Sequence, residues 1–199
     1  MKKYLPSLIT ISGLPGSGKS TLAKLLAKKY HYHYLYGGGL FRPKAKKKGL
    51  SIEEFDRPTP QILKDDLIAD QKLINYVKHH KKVIYEAHLA GWMTYLHKIP
   101  AFKVFIKISK KERVNRYSER EHVSLAQALK FINTREKSLR SRYKKNYHLD
   151  YLSTKPYDYL ADGRPLPAVI VKNIDTYLKK QKELPTSRPC RLSGSRLLP

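Results

Sequence analysis

Short runs of β-branched and aromatic residues alternate along this chain with longer stretches whose apolar side chains recur every three or four positions. Leu8-Ile9-Thr10-Ile11 is the first run and predicts a strand. Leu22, Leu25 and Leu26 then fall on one face of a helix, with Ala23 and Ala27 raising helix propensity. His31-Tyr32-His33-Tyr34-Leu35-Tyr36 reads as a second strand, closed by a flexible Gly37-Gly38-Gly39 turn. Its alternating histidines read as a strand face, because no metal-ligand partners accompany them. Ser51-Ile52-Glu53-Glu54 fits a capping box and starts a helix that breaks near Pro58 and Pro60. A further helix is predicted over 61–79, with Ile62, Leu63, Leu67, Leu73, Ile74 and Val77 as its buried stripe and Asp65, Asp66 and Asp70 on a solvated face.

Val83-Ile84-Tyr85-Glu86 is a short apolar run ending in an acid, the pattern of a buried parallel strand. Residues 102–108 form another strand, and Ser109 caps a helix carrying Glu112, Arg113, Arg116 and Arg120. A break at 121–123 precedes a long helix over 125–145. A last short strand is expected at 157–160, and Pro165 to Pro167 open a helix with Val169, Ile170, Ile174, Tyr177 and Leu178 on its apolar side. From about 182 onward Pro, Ser and Arg dominate without periodicity, so residues 182–199 are expected to be a disordered basic tail on a single domain of residues 1–181. Strands alternating with helices predict an α/β fold: a parallel sheet with helices on both faces.

The stretch between the first strand and the first helix carries the chemistry. Gly13-Leu14-Pro15-Gly16-Ser17-Gly18-Lys19-Ser20, followed by Thr21, matches the phosphate-binding loop pattern in its confirming strand–loop–helix context. Glycines let the backbone curl around an anion, and the helix N-terminus adds partial positive charge. Lys19 is placed to reach the β- and γ-phosphates of a nucleoside triphosphate, and the Ser20 hydroxyl to ligate Mg²⁺. Glu86 ends its strand where ligands of such sheets bind, which makes it a candidate for holding the hydration shell of that Mg²⁺.

Charge changes the picture further. Of 199 residues, 41 are Lys or Arg and 16 are Asp or Glu, a net +25. Such a field attracts phosphates, nucleotides and nucleic acid. The lysine pairs are scattered, which favours a lysine-rich surface over a dedicated nucleic-acid site. The one cysteine, Cys190, excludes an internal disulfide framework and suits a reducing cytoplasm. The apolar run after Met1-Lys2-Lys3 is too short and too interrupted for a secretory signal, and no window is apolar enough to span a membrane. A cytoplasmic protein acting as a monomer is expected.

Phosphoryl transfer needs positive groups around both the donor and the acceptor phosphate. Arg42 follows the second strand. Arg113, Arg116 and Arg120 flank the helix break, as a closing lid would. Arg135 and Arg142, seven apart, share one face of the long helix. Together with Phe41-Arg42, the 49–55 string Gly-Leu-Ser-Ile-Glu-Glu-Phe, the 86–92 string Glu-Ala-His-Leu-Ala-Gly-Trp, Arg135-Glu136-Lys137-Ser138, Arg142-Tyr143 and Tyr157-Asp158, this makes residues 9–177 resemble the archaeal-type cytidylate kinases. The resemblance implies a three-layer P-loop kinase fold with small lid and acceptor-binding helices, and transfer of the ATP γ-phosphate to CMP or dCMP with Mg²⁺. It implies that Arg42, His88 and Arg135 bind the acceptor, and that Lys19, Arg116, Arg120 and Arg142 serve catalysis as phosphate-clamping and lid cations. The chain departs from the family's pattern at His88, where an arginine is usual, and at Gly39 and Leu139, where acids are common. All three lie on the acceptor side. The alternatives are a related kinase with another acceptor and a nucleic-acid-binding NTPase, the latter lacking any aromatic-basic recognition motif.

Overall fold

The computed structural model describes residues 4–40, 47, 49 and 59–183. Five strands form one fully parallel sheet: β1 (Leu8–Gly13), β2 (His33–Tyr36), β3 (Val83–Glu86), β4 (Phe102–Lys107) and β5 (Tyr159–Asp162), in the order β2-β3-β1-β4-β5. The helices are α1 (Lys19–Tyr30), α2 (Pro60–His79), α3 (Ala90–Leu96), α4 (Lys110–Glu121), α5 (Leu125–Tyr147) and α6 (Pro167–Glu183).

Strand β1 is central and buried throughout, which is why it reads as a continuous apolar run. Its side chains still alternate. Ile9 and Ile11 join Ile84, Val104 and Ile106 beneath Leu22 and Leu26 of α1 and Ile170, Ile174 and Leu178 of α6. Leu8, Val83 and Tyr85 face the other way, onto Leu73, Ile74 and Val77 of α2, Trp92 and Met93 of α3, and Leu139 and Tyr143 of α5. Each fully buried aliphatic side chain of these layers contributes about 1.5–3 kcal/mol by leaving water. A third, smaller core of Val114, Ala128 and Ile132 joins α4 to α5.

Local signals set the helix ends. The hydroxyl of Thr59 accepts from Ile62 N ahead of Pro60, and that of Ser109 accepts from Glu112 N. Ser124 and Gln127 form a reciprocal capping box at the start of α5. The break before it is made by His122 in the left-handed region, φ 55°.

Several expectations are corrected. His31 is the left-handed cap of α1, so β2 begins at His33. The glycines 37–39 belong to a 3₁₀ turn, Gly37–Leu40, in which Gly37 is buried against Ala87. The last strand lies two residues later than expected, at Tyr159–Asp162. Leu25, Leu67 and Val169 point to solvent, and Val171 replaces Val169 in the core. Asp66 is buried and Asp70 half-buried, because α2 turns this face toward α5. The short helix α3 has no counterpart in the sequence pattern; seven residues are too few for a period to show. The capping box at 51–54, Arg42, the greater part of the 49–55 string and the tail from 184 lie outside the described residues.

Because every strand is parallel, the ends of β1, β2 and β3 share one edge of the sheet. The phosphate loop and Glu86 meet there.

Candidate active site

The loop after β1 is shaped by close contact with α4. Gly16 has φ +78°, and a Cβ there would stand 2.9 Å from the Arg113 carbonyl oxygen. The loop closes on itself through Ser17 N donating to Leu14 O at 3.1 Å, and α1 starts at Lys19. The first N–H groups of a helix have no partner within it, a geometry that suits an anion.

Lys19 is buried, with Nζ donating to Leu14 O at 3.1 Å. Burial pushes its ammonium down to about 8; Glu86 opposes this, while Arg135, Arg113 and Arg120 add to it. The Ser20 hydroxyl donates to Glu86 Oε1 at 3.1 Å, and Tyr34, from β2, donates to Glu86 Oε2 at 2.7 Å. Glu86 is itself buried at the end of β3. A hydroxyl and a carboxylate side by side at the loop fit a magnesium ion, which takes few protein ligands and keeps water and phosphate oxygens. Among the described residues no three His, Cys, Asp or Glu side chains converge into a metal cage.

A cleft of about 180 Å³ extends from Gly16, Gly18, Lys19, Ser20 and Thr21 to a slot between α2 and α5. It gathers Glu86, His88, Arg120, Arg135 and Arg142. His88 Nδ1 lies 3.0 Å from Gly13 O. A carbonyl only accepts, so Nδ1 carries the proton. Burial, with Lys19 and Arg135 nearby, holds the imidazole well below its usual range and therefore neutral. Arg142 is buried in an ion pair with Asp66. Arg120 is exposed at the rim, 5.3 Å above the Tyr117 ring, with Tyr117 stacked on Phe131. Arg116 does not line the cleft. It lies beside Gly18 and donates to Gly163 O at 2.8 Å. Gly13, Leu14 and Ser17 belong to the loop but do not line the cleft.

The chain matches the cytidylate kinase-like family over residues 8–162. The chain belongs to that family. A cytidylate kinase of Thermoplasma volcanium is 35% identical over 182 residues, covering 89% of this chain and 96% of the relative. A cytidylate kinase of Methanocaldococcus jannaschii is 35% identical over 156 residues, covering 78% and 87%. In fold, a gluconokinase structure from Sinorhizobium meliloti superposes with a TM-score of 0.61 at 17% identity, over 89% of this chain and 94% of that one. The protein is thus a P-loop kinase in architecture and a phosphotransferase by family.

Within this family frame, the structure gives new places to residues that the sequence pattern read otherwise. Arg113, read as one of the lid cations, is instead buried; its Nη1 donates to Pro15 O at 3.1 Å and to Glu136 at 2.5 Å, pinning the loop to α4 and α5. Asp66 and Asp70 line the cleft rather than face solvent. Two departures from the family pattern are placed as well: His88 lies against the loop, and Leu139 lines the slot. Among the described residues no helix is long and apolar enough to cross a membrane.

Proposed function

We propose that this chain transfers the γ-phosphate of ATP to CMP or dCMP, with Mg²⁺. The observation that carries the reading is one continuous cleft joining a phosphate loop to a slot between α2 and α5, in a chain of the cytidylate kinase-like family.

The loop N–H groups and the start of α1 hold the donor phosphates, and Lys19 is their buried cation. Ser20 and Glu86 would hold Mg²⁺, which neutralises and orients phosphate charge when bound. Arg116 flanks the loop at Gly18, and Arg120 approaches from the α4 rim, as lid cations. Arg135 and Arg142, on one face of α5, set the acceptor in line, and Arg42, which follows the second strand in sequence, is assigned to the acceptor phosphate. His88 stays uncharged, so it fixes the β3–α3 turn against the loop and meets the acceptor as a neutral group. No general base is required, because phosphoryl transfer is governed by positioning and charge stabilisation. Closing the cleft excludes water and protects the γ-phosphate from hydrolysis.

ADP release measured with ATP and Mg²⁺, against CMP, dCMP, UMP, AMP, GMP and no acceptor, tests this directly. Turnover with CMP or dCMP is expected. Release only with another acceptor would move the reading to a related kinase, and no release with any acceptor would overturn it.

A further inference from the structure

Among the described residues the cleft holds three carboxylates, and they are not equivalent. Both oxygens of Glu86 are taken by Ser20 and Tyr34 on the phosphate side. Both oxygens of Asp66 are taken by Arg142. Asp70 lies one turn further along α2, about 6 Å away by helix geometry. It accepts only the neutral phenol of Tyr147, at 2.5 Å on Oδ2. Its Oδ1 takes no hydrogen bond from any described residue.

Asp70 shares its slot with flat and apolar side chains beside the Asp66–Arg142 pair. Tyr36, Leu73, Leu139 and Tyr143 line the same slot. A planar heteroaromatic ring suits such walls, and one polar edge of it would meet the carboxylate. The nearby cation, Arg142, is already bidentate to Asp66. Burial pushes Asp70 up to about 6, with Asp66 adding to it, and the Tyr147 phenol and Arg142 only partly offset this. Asn would fill the same volume and still accept the phenol. A carboxylate kept at a cost to stability, inside a substrate cleft and with one oxygen unused, points to a ligand.

We infer that Asp70 selects the acceptor's base, its Oδ1 accepting a hydrogen from the exocyclic amine of cytosine seated between α2 and α5. The inference rests on the cytidylate reading above and goes beyond it by naming the discriminating group. Uracil presents a carbonyl oxygen at the corresponding position, and two acceptors facing each other in a dry slot repel. Leu139 makes no polar contact, so the discrimination falls to α2 rather than to α5.

The experiment compares kcat/KM for CMP and UMP in wild type, Asp70→Asn and Tyr147→Phe. With Asp70→Asn, CMP should lose about ten- to a hundredfold, the range for a hydrogen bond to a charged group. UMP should hold or improve, because the Asn amide can donate to the uracil carbonyl. Tyr147→Phe should keep the CMP-to-UMP ratio. Wild type offered the monophosphate of the pyrimidin-2-one riboside, which lacks the amine, should lose activity to the same degree as Asp70→Asn does with CMP; this arm needs no variant to fold. An unchanged ratio in Asp70→Asn, an equal loss on both acceptors, or full activity on the analogue would each overturn the assignment. Wild type inert toward both CMP and UMP would instead overturn the cytidylate reading on which it stands.

Discussion

Arg142 grips Asp66 with both prongs of its guanidinium, Nε 2.7 Å from Oδ2 and Nη2 2.6 Å from Oδ1, across the interface of α5 and α2. The two residues are 76 positions apart and both are buried. The pair therefore both ties α2 to α5 and fixes a cation at the cleft.

Removing one partner strands the other charge. Arg142→Ala should cost about 3–5 kcal/mol, the range for breaking a buried pair. At about 2–4 °C per kcal/mol for a chain of this size, thermal melting should fall by roughly 6–20 °C. Arg142→Lys keeps the charge but loses the fork, and should recover only part of this. The double change Asp66→Leu with Arg142→Met should be less damaging to stability than either single loss, and urea unfolding of all four proteins checks it.

Lys19 illustrates a conflict between activity and stability. Its ammonium is buried with only a carbonyl as hydrogen-bond partner and with three arginines adding to its burden. Lys19→Met should lower kcat by at least about 10²–10³-fold, the scale of losing one transition-state donor. The melting temperature should stay level or rise, since the apolar stem still packs. Full activity in this variant would rule out the proposed phosphate site.

Asp175 is the junction of the opposite layer. Its Oδ1 accepts from Tyr4 and Tyr30 at 3.0 Å each, and its Oδ2 lies 2.9 Å from Lys179 and 3.5 Å from Lys29. Burial alone would raise this carboxyl, but the bonds from Lys179, Tyr4 and Tyr30 outweigh it and hold it at about 2. A group depressed in the folded state stabilises above its unfolded value, near 3.8, and loses that contribution as pH falls through about 2. Allowing for the solvent exposure of both lysines, Asp175→Asn should cost about 1–2 kcal/mol at neutral pH. Between pH 4 and 2 the wild type should converge on the variant in urea unfolding.

Gly91, in the 86–92 string, carries its own steric argument. A Cβ there would overlap the ring of Tyr157, while Gly91 N donates to Ser12 Oγ at 3.0 Å. Gly91→Ala should destabilise by about 1–3 kcal/mol through overpacking. Gly91→Ala combined with Tyr157→Leu should recover part of this in thermal melting.

The features legible in the sequence are those with local causes. The phosphate loop is readable because its glycines and the helix start follow one another directly. The cap at Ser109 is readable because its hydroxyl bonds a backbone N–H three residues on. Glu86 is readable because a short apolar run ending in an acid marks the edge where ligands bind. Asp66 and Asp70 mislead for the same reason: carboxylates beside an apolar stripe look solvated until a distant Arg142 and Tyr147 come to meet them. Arg113 resembles one more lid cation, and only the contact of α4 with Pro15 and of α5 through Glu136 makes it a strut. The sequence by itself determined the α/β alternation, the phosphate loop and the family. The tertiary structure decided which charges are buried, which of them pair, and which carboxylate stays open to a substrate, because burial and pairing depend on helices that meet across more than seventy residues of chain.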